Sequence, residues 1–254
     1  MSIILRNPHS ILATLKSRPK DVLTLALPPG GGGGGSHGDD SDTWAQVEAL
    51  ARAAKVPVRI AHRSTRPGPN NEGDGRTSGA EASIKEKTAI PVETLFSSME
   101  RQGEKYGLWL ALDQVQDPHN LGAIFRVASF FGVRGIVMTQ ERSAPLTGTV
   151  YDVASGGVEN VPFTSQVNLQ RAFEVAKKSG LWVLGTSEYA KGDLRSIERD
   201  RHWLLVLGNE EKGLRRLTLE SCDVTCQIAK LGAVNSLNVS VAAGICIHHL
   251  TGAK

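Results

Sequence analysis

LWLALDQVQDPHNLGAIFRVASFFGVRGIVM, residues 108–138, sets an unbroken apolar run, a polar turn, a helical stripe and a second apolar run in succession. Leu108–Leu112 suits a strand buried on both faces. Pro118 punctuates the strand exit, and Asn120 or His119 can cap a helix beginning at Leu121. Leu121, Ile124, Phe125 and Ala128 form that helix's apolar stripe, so the 3.6-residue period sends Arg126 to roughly the opposite side as a solvated charge. A second strand follows at Gly135–Met138. The alternation continues outward, with a helix over Leu169–Lys178 and strands at Trp182–Leu184 and Trp203–Leu207. This predicts an α/β fold, a mostly parallel sheet with helices on both faces. Ligands of such sheets bind beyond the carboxyl ends of the strands.

Two more strand exits carry chemistry. In WLLVLGNEEKGL (203–214) an apolar run ends at Gly208, and the polar turn Asn209–Lys212 leads to Gly213. A glycine there lets backbone approach a ligand, although the same pattern serves an ordinary turn. Glu210 and Glu211 are adjacent, so one of them points inward. In IAKLGAVNSLNVSVAAGICIHHL (228–250) Ser236 or Asn235 can cap a helix that is apolar nearly all round, interrupted by Asn238 and Ser240. Such a helix is expected to be buried on every side. Its small residues Ala242, Ala243 and Gly244 point to a homodimer interface as well as a core.

Ahead of this part, Pro8–Ile60 reads as a small α/β unit: helix His9–Leu15, strand Val22–Leu27, helix Trp44–Ala54 and strand Val56–Ile60. The run Gly30–Gly35, followed by SHGDDSD, reads as a flexible insertion. From Arg63 to about Thr88 large apolar residues are scarce, as in a disordered tether. The expected division is an N-terminal domain over 1–62, a largely disordered linker over 63–104 and a C-terminal domain over 105–254 that carries the three strand exits.

The 254 residues, 40% hydrophobic and 22% charged, suffice for a core. A net charge of +3 and a pI near 8.8 are compatible with nucleic acid without demanding it. No apolar run is long enough for a membrane span. Three cysteines, Cys222, Cys226 and Cys246, suggest reduced thiols in an intracellular compartment. Arg6 is the only basic residue before Lys16, which makes the first residues a poor targeting signal. There is no GxGxxG, no GxxxxGK[ST] and no GxSxG, so dinucleotide, P-loop and nucleophile-elbow sites are unsupported. Cys222, Cys226, His248 and His249 have irregular spacing for zinc, and no metal is expected.

In this order, DPHNLGAIFRVASFFGV, LGNEEKGL and NSLNVSVAAGI resemble the three signature motifs of the SpoU/TrmH group of SPOUT RNA methyltransferases. The resemblance covers nearly everything after Leu108. Within the group, ERSAPLTGTVYDVASGG is most similar to mitochondrial large-subunit rRNA guanosine 2′-O-methyltransferases. The N-terminal unit resembles in part the group's L30e-like substrate-binding domain. The chain departs from the motifs at Glu211, where a glycine is usual, and at Ala229-Lys230, where a proline and an apolar residue are usual.

The resemblance implies a trefoil knot holding S-adenosylmethionine, with backbone around Leu207, Gly208, Ile228 and Leu237 and the Thr186 loop as its binding residues. It implies a catalytic and substrate-positioning set of Asn120, Arg126, Glu210, Ser236 and Asn238, acting on a ribose 2′-hydroxyl. Arg126 would act on the hydroxyl and Asn120 would position Arg126 or the ribose. Glu210 would hold that network, and Ser236 with Asn238 would orient the cofactor end. The implied partner is RNA, large-subunit rRNA ahead of tRNA, with Arg134, Arg142, Lys212, Arg215 and Arg216 available to phosphates. The implied location is the mitochondrial matrix, with the cytoplasm as alternative. Two competing functions share these motifs: a tRNA ribose methyltransferase, and a non-catalytic RNA-binding assembly factor.

Overall fold

The computed structural model describes residues 2–28, 38–61, 79–97 and 105–252. In chain order the elements begin with β1 (Ser2–Leu5), α1 (Pro8–Ser17), β2 (Val22–Leu27), α2 (Gly38–Ala53), β3 (Val58–Ile60), β4 (Glu81–Lys85) and α3 (Val92–Ser97). They continue with β5 (Leu108–Leu112), α4 (Pro118–Phe130), β6 (Ile136–Thr139), α5 (Gly148–Ala154), α6 (Gly157–Asn160), β7 (Phe163–Gln166) and α7 (Leu169–Lys178). The last are β8 (Trp182–Thr186), β9 (Gly192–Asp193), β10 (Trp203–Leu207), α8 (Arg216–Glu220), β11 (Val224–Gln227) and α9 (Val239–Thr251). They form two compact units, Met1–Lys87 with Leu146–Asn160, and Thr88–Pro145 with Val161–Lys254.

The first unit is built on a sheet of order β1-β4-β2-β3, in which β4 runs antiparallel to both neighbours and β3 is parallel to β2. Two expectations fail here. The supposed linker contains β4, whose alternation buries Ala82 and Ile84 completely while Lys85 faces water. Two inward apolar residues among polar and charged neighbours are enough for a strand once partners exist on both sides, and bulk composition hides them. The stretch 146–160, assigned by sequence to the catalytic domain, belongs to this unit instead. Glu159 on α6, almost fully buried, accepts both Arg18 Nε and Arg18 Nη2 at 2.8 Å, and Asp152 on α5 accepts the Asn7 N–H at 2.9 Å. Residues 63–78 and 98–104 of that linker lie outside the described residues, as does Gly30–Gly35 of the insertion. The last residues of SHGDDSD are the start of α2, which the apolar period could not place because it begins only at Trp44.

The second unit carries a seven-stranded sheet of order β7-β6-β5-β10-β8-β11-β9, all parallel. β5 and β10 are buried at every position, as expected of strands covered on both faces. Trp109, Ala111, Val137, Val183, Leu204 and Val206 point to one face, against Leu95 and Phe96 of α3 and Phe173 and Ala176 of α7. On the other side α9 packs on α4, β5 and β10. The helix α3 also lies in the supposed linker, held by burial of Val92, Leu95 and Phe96.

The expectation that α9 is buried on every side is corrected. Val239, Ala243, Cys246, Ile247 and Leu250 face inward, but Val241 and Ile245 are 51% and 39% exposed. They repeat at the helical spacing on the side away from α4 and the sheet.

Candidate active site

The site gathers where β5 and β10, neighbours in register, end together. Beyond β5 the helix α4 begins one turn earlier than the sequence suggested. Asp117 is the N-cap, its side chain accepting the His119 N–H at 2.8 Å, and Pro118 occupies the first turn, where no N–H is needed. Asn120 is thereby released from capping and sits buried inside the first turn. The cap of α9 is likewise Asn238 rather than Asn235 or Ser236. Its Oδ1 accepts the Ser240 N–H at 2.8 Å and the Ser240 hydroxyl at 2.6 Å.

Beyond β10, Gly208 is obligatory: the place a β-carbon would take there is filled by backbone of Gly213 and Leu214. Asn209 and Gly213 exchange backbone bonds of 3.0 and 2.9 Å, closing the turn, and Gly213 has the left-handed φ of +66° that favours glycine. Asn209 Oδ1 accepts the Glu211 and Lys212 N–H groups at 3.1 Å. The tip so formed presents Glu210, and Glu211 is the exposed one of the two.

Glu210 ties the first two motif segments together, and Asn120 carries the link to the third. Its carboxylate accepts the Asp117 N–H at 3.1 Å, the Gln116 N–H and Asn120 Nδ2 at 3.2 Å, and Asn209 Nδ2 at 3.2 Å. All of these are donors, at the positive end of α4, so the surroundings call for an anion. Asn120 then accepts Asn238 Nδ2 at 2.8 Å. Glu210, Asn120, Asn238 and Ser240 therefore form one chain of hydrogen bonds linking residues 90 and 118 positions apart. The cleft beside it, about 430 Å³, is lined by Asn120, Glu210, Ser236, Leu237 and Asn238 among others.

Of the expected cofactor residues, Leu237 lines this cleft. Thr186, Leu207 and Gly208 lie at the ends of adjacent strands β8 and β10, where the Thr186 hydroxyl donates to the Val206 carbonyl at 3.0 Å. Ile228 follows β11, the next strand over. A cleft of this size falls within the usual range for small-molecule sites. Its size and its lining by Leu237 beside amide and carboxylate groups fit a small polar cofactor, whereas Thr186, Leu207, Gly208 and Ile228 are not among its lining residues.

Arg126 is not brought into this cluster. It is exposed on α4, off the cleft lining, and makes no hydrogen bond or ion pair among the described residues. Six residues beyond Asn120, at about 100° per residue, place it on a different face of the helix.

Two of the basic residues offered to phosphates are otherwise engaged. Arg134 is buried, its guanidinium 5.3 Å from the Trp109 ring centre. Arg215 forks onto Asp113 at 2.8 and 2.7 Å. Arg216 pairs with Glu220 on the surface, and Arg142 and Lys212 are exposed. Asp113 escaped sequence reasoning, although a carboxylate directly after a fully apolar strand was a signal. Burial pushes the thiols of Cys222, Cys226 and Cys246 up to about 12, which keeps them protonated and poor as nucleophiles or ligands. Among the described residues no His, Cys, Asp and Glu group could hold a metal ion, and no helix is long and apolar enough to cross a membrane.

Comparison with known proteins points the same way. The profile of the SpoU rRNA Methylase family matches residues 107–248. A 23S rRNA (guanosine-2′-O-)-methyltransferase RlmB from Nitrosomonas europaea is 49% identical over 140 residues, 55% of this chain and 54% of that protein. The RlmB protein of Coxiella burnetii is 35% identical over 242 residues, 95% of this chain and 92% of that protein. A solved AdoMet-bound rRNA methyltransferase from Sinorhizobium meliloti shares the fold, with a TM-score of 0.73 over 98% of this chain and 86% of that one, at 21% identity. With the family's profile matched across 107–248 and a relative aligned over 95% of the chain, this protein belongs to the SpoU rRNA methylase family.

Proposed function

We propose that this chain transfers a methyl group from S-adenosylmethionine to the ribose 2′-hydroxyl of a guanosine in large-subunit ribosomal RNA. The observation that carries the proposal is the Glu210 carboxylate, which draws Asn120, Asn209 and the start of α4 into one cleft with Ser236, Leu237 and Asn238. Relatives bearing that activity in their names align over both units of the chain, which favours rRNA over tRNA.

Backbone at Leu207, Gly208, Ile228 and Leu237, with the Thr186 loop, would hold the adenosylmethionine. When bound, the cofactor supplies an electrophilic methyl group on a sulfonium. The protein's task is to bring a ribose hydroxyl into line and to polarise a poor nucleophile. Glu210 and Asn238 fix Asn120 from both sides, which orients its amide without any movement at the moment of reaction. Arg126, exposed off the cleft lining and unpaired among the described residues, is available to an RNA phosphate. A guanidinium, with a pKa above about 12, serves there by charge and hydrogen bonding rather than as a ready base.

Two extensions complete the proposal. The chain works as a homodimer through α9, whose exposed Val241 and Ile245 lie on a helix packed against α4, at whose end Phe130 is 82% exposed. It works in the mitochondrial matrix, on the similarity of ERSAPLTGTVYDVASGG alone; the relatives quoted above are bacterial.

Incubation with labelled adenosylmethionine and either large-subunit rRNA or tRNA, followed by mapping of ribose methylation, tests the function. Label in one rRNA guanosine is expected. Label confined to tRNA would transfer the substrate assignment, and cofactor binding with no transfer to any RNA would favour an assembly factor.

A further inference from the structure

Asp113, the residue directly after β5, is a carboxylate with 0% exposure. Its Oδ1 accepts Arg215 Nε at 2.8 Å and Nη2 at 2.7 Å, and its Oδ2 accepts the Thr218 hydroxyl at 2.7 Å and the Arg215 N–H at 3.4 Å. Between Gly208 and Arg215 the chain makes its turn and presents Glu210. The turn's mouth is closed where Gly213 and Leu214 lie against Gly208, its shoulder is tied by Asn209 Nδ2 to the Gln114 carbonyl at 2.9 Å, and its tip is tied by Glu210 to Gln116, Asp117 and Asn120. The segment 113–120 and the loop 208–218 are thus fastened at successive points, and Asp113 is the innermost.

We infer that Asp113 and Arg215 are a positioning pair that sets the loop carrying Gly208 and Glu210. The inference rests on the transferase function proposed above. A buried carboxylate and its arginine seldom improve stability over apolar residues of equal volume, but they do fix geometry: here the guanidinium edge closes on Oδ1 while Thr218 and the Arg215 N–H hold Oδ2. The Nε–Nη2 edge is turned to Asp113, so the primary role inferred for Arg215 is positioning rather than phosphate contact. Losing the pair releases the loop, and displacement of about 1 Å at a reacting centre costs on the order of 10²-fold in rate.

The test compares wild type with Asp113→Asn, Arg215→Ala, Arg215→Lys and the double variant Asp113→Asn/Arg215→Ala. The measurements are kcat, KM for rRNA, adenosylmethionine affinity by calorimetry, and Tm. Each alanine or asparagine variant should lose about 10²-fold in kcat with KM for rRNA unchanged. The double variant should be no worse than the weaker single, and Arg215→Lys, which keeps charge without the fork, should recover only part of the rate. Thr218→Val, a milder change, should lower kcat several-fold should Asp113→Asn not fold. A raised KM for rRNA in Arg215→Ala with Asp113→Asn silent would make Arg215 a phosphate contact and overturn the inference. So would lowered Tm with intact kcat in all variants, or wild-type kcat in Thr218→Val. Wild-type protein that transfers no methyl group refutes the underlying function instead, and is seen before any variant is compared.

Discussion

At the scale of single residues, charge and hydrogen-bond direction decide what each group can do. Glu210 receives only donors, so Glu210→Gln turns one acceptor oxygen into an N–H that faces other N–H groups. An amide there leaves the part-buried Asn120 or Asn209 donor without its acceptor, at a cost of about 1 kcal/mol, and frees Asn120. Steady-state kinetics should show kcat reduced on the order of 10²-fold, with Tm lowered by only a few degrees. His202 offers a prediction in pH. Its Nδ1 accepts the Gly107 N–H at 2.9 Å, which only an unprotonated nitrogen can do. Burial, and then the nearby Arg134 charge, hold its pKa below the usual value near 6.5. Folding therefore favours the neutral ring: the contribution is complete above about pH 6.5 and is lost as pH falls through the lower folded-state value. Tm recorded from pH 7.5 to 5 should fall less steeply in His202→Asn than in wild type. Equal slopes would remove His202 from the explanation.

At the scale of elements, the constraints are close approaches and caps. Gly208→Ala places a methyl group on the backbone of Gly213 and Leu214, so the turn must shift. Overpacking of this kind costs about 1–3 kcal/mol. Calorimetry should show that loss together with weakened adenosylmethionine binding, and unchanged cofactor affinity would mean the turn is not part of that site. Elements were legible from sequence where the apolar pattern is unbroken: β2, β5, β10 and α7 occupy the expected residues, because an apolar run or a clean 3.6-residue stripe leaves little choice. β4 was not, because Ala82 and Ile84 are too few to stand out before β1 and β2 flank them. The starts of α4 and α9 were misplaced because several residues in a row can cap a helix. Only packing showed that Asp117 and Asn238 do so, leaving Asn120 for the site.

At the scale of the whole molecule, the resemblance of three motifs identified the chemistry, and the fold supplies the reason they need one another. The partnership of Asp113 with Arg215, 102 residues apart, has no trace in local pattern, and the same holds for Asn120 with Asn238. The exposed apolar side of α9 belongs to this scale too. Val241→Asp should convert a dimer into monomers by light scattering at micromolar concentration with the far-ultraviolet spectrum preserved, and a wild-type protein that is already monomeric would end the dimer proposal.

The pocket itself can be observed through its amides. Hydrogen exchange of the intact chain with and without adenosylmethionine should show added protection in three separated segments together, around residues 113–120, 207–214 and 228–239. Protection in one of these alone, or concentrated elsewhere in the chain, would contradict a single cofactor site built from all three.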